Sequence, residues 1–252
     1  MSKITMITGA TSGIGRACAL CFAGLGHWLI ITGRRLERLE GLKNEIYQLH
    51  QVPVMILHFD VCQREATQNA IATLPAPWQN IDILINNAGL ALGLNGIEDG
   101  NPDEWEQMID TNIKGLLNVT RAVVPGMKAR QMGHIINIGS VAGREVYPKG
   151  NVYCATKHAV DALSQGMRID LVAYGIKVTQ ISPGATETEF SLVRFQGDNE
   201  RANNVYKGYK PLTGNDVAQV VAFAASLPDH VCINDLLIMP TAQASATIFK
   251  KE

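Results

Sequence analysis

Ile4-Thr5-Met6-Ile7-Thr8-Gly9-Ala10-Thr11-Ser12-Gly13-Ile14-Gly15 reads as a strand that runs into a glycine turn, and Arg16 to Gly24 continues as a helix. A tight strand-to-helix turn lets backbone N–H groups approach a pyrophosphate, and the helix N-terminus favours its negative charge. Gly9, Thr11, Ser12, Gly13, Ile14 and Gly15 are therefore the candidate phosphate cradle. A lone glycine cluster is as easily an ordinary turn. Between the first strand and first helix of an alternating chain, the nucleotide reading outweighs it. The spacing is Gly-x-x-x-Gly-x-Gly, a departure from the Gly-x-Gly-x-x-Gly of the general dinucleotide fingerprint.

Outward from this stretch, strand-sized apolar runs recur between helix-length segments. Trp28 to Thr32, Val54 to Phe59, Ile81 to Ile85, His134 to Ile138, Val178 to Ile181 and Leu236 to Met239 follow Ile4 to Thr8. Continuous apolar runs suit strands buried on both faces, and the intervening helices supply right-handed crossovers. The expectation is an α/β chain with a single Rossmann-type, doubly wound sheet of about seven mostly parallel strands flanked by helices. At 252 residues, with 46% hydrophobic residues and a mean hydropathy of +0.04, the chain is long enough for one such domain. No linker suggests a second, so residues 1–252 are taken as one unit.

The second strand ends in Thr32-Gly33-Arg34-Arg35, close to ~20 residues beyond the glycine turn, where NAD-binding proteins commonly carry an acid for the ribose hydroxyl. Guanidinium groups there grip a 2′-phosphate that a carboxylate would repel, so Arg34 and Arg35 favour NADP over NAD as cofactor. The competing reading is a solvated helix face shared with Glu37 and Arg38. Asp60-Val61 closes the third strand, well placed to meet an adenine amino group, with a helix N-cap as the alternative. Asn86-Asn87-Ala88-Gly89 closes the fourth. Its small residues permit close backbone approach, and its asparagines suit either a ribose or the bracing of a neighbouring strand.

Tyr153 and Lys157 stand four apart in a helix pattern, so the phenol and the ammonium project into one volume. A free tyrosine titrates near pH ~10, and proton exchange at neutral pH needs about 4 kcal/mol in favour of the phenolate. An ammonium about 4 Å away supplies roughly that at an effective dielectric near ~20. Ser140, on the loop after an apolar run, is placed to bond a carbonyl or alcohol oxygen while Tyr153 passes it a proton. Alone, Tyr-x-x-x-Lys occurs by chance on many solvated helices. Asn101-Pro102-Asp103-Glu104 marks a helix start, and the helix then runs past Asn112. Asparagine competes for backbone hydrogen bonds in mid-helix, so a local kink holding a water is one reading and a tolerated surface residue the other.

The bulk properties exclude other classes. A formal net charge of -1 gives no footprint for nucleic acid, and no apolar run approaches the ~18 residues of a membrane span. With strand-like sequence starting at Ile4, before a signal peptide would fit, a cytoplasmic location is expected. Five scattered cysteines suggest reduced thiols, and Cys18-Ala-Leu-Cys21 lies within a helix pattern without a second ligand pair, so no metal is expected. Gly139-Ser140-Val-Ala-Gly143 lacks the glycines of a hydrolase nucleophile elbow, and no nucleotide-hydrolysing phosphate loop is present.

Thr8-Gly9-x-x-x-Gly13-Ile14-Gly15, Asp60, Asn86-Asn87-Ala88-Gly89, Asn112, Ser140, Tyr153-x-x-x-Lys157 and Pro183-Gly184, in this order, resemble the short-chain dehydrogenase/reductase family along essentially the whole chain. The resemblance implies that Tyr153 donates and accepts the proton, that Lys157 lowers its pKa and holds the nicotinamide ribose, and that Ser140 orients the carbonyl. It also implies that Asn112 positions a water linking Lys157 to solvent, and that Pro183, Gly184, Thr186 and Thr188 contact the nicotinamide and pyrophosphate side. Thr188-Glu189-Phe190-Ser191, Val193-Arg194-Phe195 and Met239-Pro240-Thr241-Ala242-Gln243 are similar to the NADP-dependent 3-hydroxy acid dehydrogenase branch. That branch implies small hydroxy-acid substrates and a substrate loop at about 185–212, while the long helices containing Asn112 and Tyr153 resemble the pair with which family members build dimers and tetramers, which implies a homo-oligomer. Arg194 suits a substrate carboxylate, with a surface salt bridge as the even alternative, and Arg144 is a second candidate. A carbonyl reductase for another small substrate, and a non-catalytic NADP sensor, are the competing functions.

Overall fold

The structure, a computed structural model, describes residues 2–252. The strands are Ile4–Ile7 (β1), Trp28–Gly33 (β2), Val54–His58 (β3), Ile83–Asn86 (β4), Gly133–Ile138 (β5) and Ile176–Pro183 (β6), with two short ones, Thr186–Glu187 (β7) and Leu212–Thr213 (β8), before Asp235–Ile238 (β9). The helices are Gly13–Gly24 (α1), Leu36–His50 (α2), Arg64–Ala72 (α3), Pro102–Ile109 (α4), Leu116–Arg130 (α5), Asn151–Leu171 (α6), Phe190–Arg194 (α7), Asn199–Asn204 (α8) and Gly214–Ser226 (α9). All seven expected runs become strands of one sheet, in the order β3-β2-β1-β4-β5-β6-β9, and every neighbouring pair is parallel. This is the expected Rossmann-type architecture.

Successive strand residues point to opposite faces, so a two-sided sheet needs two apolar sets from one run. The sequence supplies them. Ile7, Leu29, Ile31, Ile83, Ile85, Ile136 and Ile138 pack with Phe22 of α1, Leu39 and Ile46 of α2, and Val217 and Val221 of α9. Their neighbours Met6, Ile30, Leu84 and Ile135 face the other way, against Ile71 of α3, Val119, Val123 and Met127 of α5, and Leu171 of α6. Cys18 lies at full burial in the first of these cores, which settles its reading as packing.

Strand order reverses at β1, whose neighbours β2 and β4 carry the chain away in opposite directions. A crevice opens at such a switch point beyond the carboxyl ends of the strands. The ends of β1, β2, β4, β5 and β6 deliver the glycine turn, Arg34, Asn87, Ser140 and Gly184 to that edge. The segment 185–212 rises from it as α7 and α8, and its base is closed by a two-residue parallel ladder, Thr186 with Leu212 and Glu187 with Thr213. That ladder is too short to carry a periodic signal in the sequence.

α4 begins as expected, with the Asn101 side chain accepting from the Asp103 N–H at 3.0 Å and Pro102 in the first turn. The helix then widens into a π-helical stretch, Asp110–Gly115, before α5 continues. Asn112 lies inside this stretch, so its presence in mid-helix marks a real distortion of the backbone ladder.

Candidate active site

The glycine turn is held by β4. Thr8 Oγ1 accepts from the backbone N–H groups of Asn87 and Ala88, both at 3.0 Å, and Asn87 Nδ2 donates to Thr8 O at 2.9 Å and Gly9 O at 3.2 Å. Gly9 and Gly13 have φ of +65° and +53°, and a Cβ on Gly15 would lie 2.4 Å from both Gly9 O and Asn87 Nδ2. Only glycine fits these positions. Ser12, at the N-cap of α1, makes no side-chain cap, which leaves the helix start without a side-chain acceptor. The turn lines a cleft of about 560 Å³, a volume that suits a dinucleotide-sized ligand.

The cleft gathers most of the expected residues. Thr11, Ser12, Gly13 and Ile14 line it beside Arg34 and Arg35; Asp60 and Val61 with Asn87, Ala88 and Gly89 form a second stretch of wall; Pro183, Gly184, Thr186 and Thr188 lie with Ser140, Tyr153, Lys157 and Arg194. Gly15 and Asn112 stand behind the wall. Arg34 extends to the rim with its side chain 60% exposed, 3.6 Å from Asp60 Oδ2. Arg35 is tied to the turn, donating from Nε and Nη2 to Thr11 Oγ1 at 3.1 and 2.7 Å and from Nη2 to Ser12 Oγ at 2.9 Å. Asp60 Oδ1 accepts from Cys62 N–H at 2.9 Å, so it braces its own turn, while α3 starts only at Arg64. Asn86, by contrast, braces β5 by donating to Asn137 Oδ1 at 2.9 Å, the structural alternative of the two.

At the other end of the cleft, Tyr153 and Lys157 project from α6 and are both buried. Lys157 Nζ donates to Ile138 O at 2.9 Å and lies 6.0 Å from the centre of the Tyr153 ring. Burial pushes the Lys157 ammonium down to about 8. Burial also pushes the Tyr153 phenol above its ordinary range, with Tyr147 adding to the effect and Ser140 and Arg194 opposing it. Desolvation is the largest influence on this phenol and opposes the lowering expected from Lys157. Ser140 Oγ accepts from Ala142 N–H at 3.1 Å and retains its own proton to donate. The Asn112 amide is spoken for, donating to Leu90 O at 2.8 Å and Thr156 Oγ1 at 3.0 Å and accepting from Leu90 N–H at 2.8 Å. It thereby ties the π-helical stretch to α6 one residue from Lys157.

Arg194, from α7, lies with its guanidinium 5.7 Å from the Tyr153 ring centre. Nε donates to Gly93 O at 3.0 Å and Nη1 to the Tyr147 hydroxyl at 2.9 Å, while Nη2 makes no hydrogen bond among the described residues. Arg144 is a correction. It is outside the cleft walls, and its Nη2 is paired with Asp235 and, at 3.6 Å, with Asp161, so two carboxylates already occupy it.

Sequence reasoning missed three walls. Tyr147 orients Arg194; Phe190 packs its ring 5.6 Å from that of Tyr153; and the C-terminal tail closes one side through Gln243, whose Oε1 accepts from Ala185 N–H at 2.8 Å, and through Phe249. In the sequence Phe190 and Gln243 stand out only as parts of the branch motifs. Nothing local signals that this tail folds back onto Ala185, 58 positions earlier in the chain.

A family model described as short chain dehydrogenase matches residues 3–198. The NADP-dependent 3-hydroxy acid dehydrogenase YdfG of Escherichia coli strain K12 is 48% identical over 244 residues, 96% of this chain and 97% of that protein. Sulfoacetaldehyde reductase 2 of Chromohalobacter salexigens is 46% identical over 245 residues, 97% of this chain and 96% of that one. Among solved structures, a closed form of serine dehydrogenase complexed with NADP+ superposes with a TM-score of 0.93 at 47% identity, covering 99% of both chains. The glycine turn, the Ser140–Tyr153–Lys157 corner and a match of this extent lead to one assignment: the chain belongs to the short-chain dehydrogenase family.

Proposed function

We propose that the chain is an NADP-dependent oxidoreductase that exchanges a hydride with a small 3-hydroxy acid of the L-serine, L-allo-threonine, 3-hydroxyisobutyrate or 3-hydroxypropionate class, or with the corresponding oxo acid. One observation carries the reading: Ser140, Tyr153, Lys157 and Arg194 meet in the cleft that also contains the glycine turn and the Arg34 rim. Relatives named for NADP and for 3-hydroxy acids support it. The residues present fit the cofactor. The positive-φ glycines and the open start of α1 suit a pyrophosphate, and Arg34 suits a ribose 2′-phosphate.

Bound there, the nicotinamide supplies the hydride chemistry. The chain supplies proton management and orientation. Ser140 donates to the substrate oxygen, and Tyr153 gives its proton to that oxygen in reduction and takes it back in oxidation. Lys157 steadies the phenolate so formed and holds the ribose, and Asn112, its amide bonded to Leu90 and Thr156, fixes the π-helical stretch against α6, where a water linking Lys157 to solvent would sit. Arg194, oriented by Tyr147, binds the substrate carboxylate through its free Nη2 edge. Segment 185–212 acts as the substrate loop of a single-domain chain. The working form is a homo-oligomer, dimer or tetramer, in the cytoplasm, a setting that accords with five free cysteines.

A second reading concerns the anion. Donors from a guanidinium suit a sulfonate as well as a carboxylate, and two relatives are named sulfoacetaldehyde reductase. Steady-state turnover with NADP and NAD on the hydroxy acids, neutral alcohols of equal size and sulfoacetaldehyde tests both. The proposal expects NADP and carboxylated substrates to give the highest kcat/KM; equal rates on neutral alcohols would overturn the acid assignment, and NADP binding without any turnover would favour a sensor.

A further inference from the structure

Arg34 and Arg35 are adjacent in sequence but differ in their commitments. Arg34 is exposed and has one carboxylate at 3.6 Å. Every nitrogen of the Arg35 guanidinium is occupied: Nε and Nη2 by Thr11 and Ser12, and Nη1 by Glu189 Oε2 at 3.0 Å. Glu189 also receives Arg38 Nη1 on both oxygens, at 2.6 and 2.8 Å. These contacts join the start of α2 to the start of α7, more than 150 positions away in the chain. Beside Glu189, Thr188 sits against the glycine turn, where a Cβ on Gly13 would meet it at 3.1 Å. Residues 188 and 189 thus bridge the cleft from the loop side to the phosphate side.

Resting on the reading of the cleft as a nucleotide site, we propose that Glu189 is a positioning residue: clamped by Arg35 and Arg38, it straps segment 185–212 over the bound dinucleotide and slows its release, leaving Arg34 as the arginine that reads the 2′-phosphate. The strap acts on the part of the ligand common to NADP and NAD, because Thr188 sits on the glycine turn at Gly13, and Arg35, which Glu189 holds, is itself tied to Thr11 and Ser12 of that turn. Although burial alone would raise the Glu189 carboxyl, hydrogen bonds and charge from Arg35 and Arg38 hold it below the usual range, so it stays ionised and paired. The three side chains are each more than a third exposed, which limits the strength of the clamp and makes it sensitive to salt.

The test is the dissociation rate of NADPH and of NADH, followed by nucleotide fluorescence after rapid displacement, in wild type, Glu189→Gln and Arg38→Gln. Both variants are expected to release both nucleotides faster by the same factor, roughly five-fold at low salt, the scale of one part-exposed charged contact. Raising the ionic strength should bring wild type toward the variants. Glu189→Asp, which keeps the carboxylate between Arg35 and Arg38, should recover much of the slow release that Glu189→Gln loses, which loss of packing alone would not predict. Unchanged release rates in Glu189→Gln would overturn the strap. A selective tightening of NADPH in that variant would also overturn it, since it would mean that the carboxylate competes with the 2′-phosphate. If wild type binds neither nucleotide, the site reading itself falls with it.

Discussion

Lys157 has one hydrogen-bond partner among the described residues, the Ile138 carbonyl at 2.9 Å, and burial lowers its pKa from an ordinary 10.5 to about 8. The unfolded chain binds this proton more tightly than the folded one. Folding is therefore penalised below about pH 8, and the penalty fades as the pH rises from about 8 to 10.5. Lys157→Met should raise the melting temperature at pH 7, and the gain should shrink toward zero near pH 10.5; a gain independent of pH would contradict the buried charge. Two arginines give further tests. Arg194→Ala should lower kcat/KM for carboxylated substrates by about 2 kcal/mol, roughly thirty-fold, and leave small neutral alcohols almost unaffected. Arg34→Ala should raise the KM for NADP far more than that for NAD, and equal effects would remove the 2′-phosphate contact. Ser140, Tyr153 and Lys157 were legible in the sequence because their spacing and company are specific. The burial that opposes a low Tyr153 pKa was not, since it depends on how deeply α6 is covered, which no four-residue spacing encodes.

The glycine turn and the π-helical stretch are elements whose local sequence announced them. Gly15 has no room for a methyl group, since a Cβ there would lie 2.4 Å from both Gly9 O and Asn87 Nδ2. Gly15→Ala should cost about 1–3 kcal/mol by overpacking and should weaken nucleotide binding as the turn shifts. Thermal unfolding and nucleotide titration of the variant check both effects, and unchanged stability would mean that the turn is softer than its packing implies. Asn112 advertised its distortion by being a poor helix former in mid-helix. The ladder of β7 and β8 offered nothing comparable: two residues cannot show a period, and their pairing is fixed by the chain on either side of segment 185–212. Tyr147 was equally silent, because its role is defined by Arg194, 47 positions later.

At the scale of the whole molecule, apolar runs recurring between helices sufficed for a parallel sheet, because a strand covered on both faces is mostly apolar along its length. Which tail and loop close the cleft did not follow from that pattern. No helix among the described residues is long and apolar enough to cross a membrane. Exposed Ile169 and Val172 near the end of α6, 76% and 72% accessible, leave an apolar surface that the proposed oligomer would cover. Light scattering is expected to give a mass two or four times the 27.4 kDa of one chain, and a 27.4 kDa particle would contradict self-association. Catalysis as proposed turns on a buried phenol that moves the proton beside a bound nucleotide. Turnover and NADP affinity of Tyr153→Phe, measured side by side with wild type, address that claim most directly. The expected result is turnover reduced by about 10³-fold or more with NADP affinity within about twofold of wild type; a variant that binds NADP and still turns over at near the wild-type rate would contradict it.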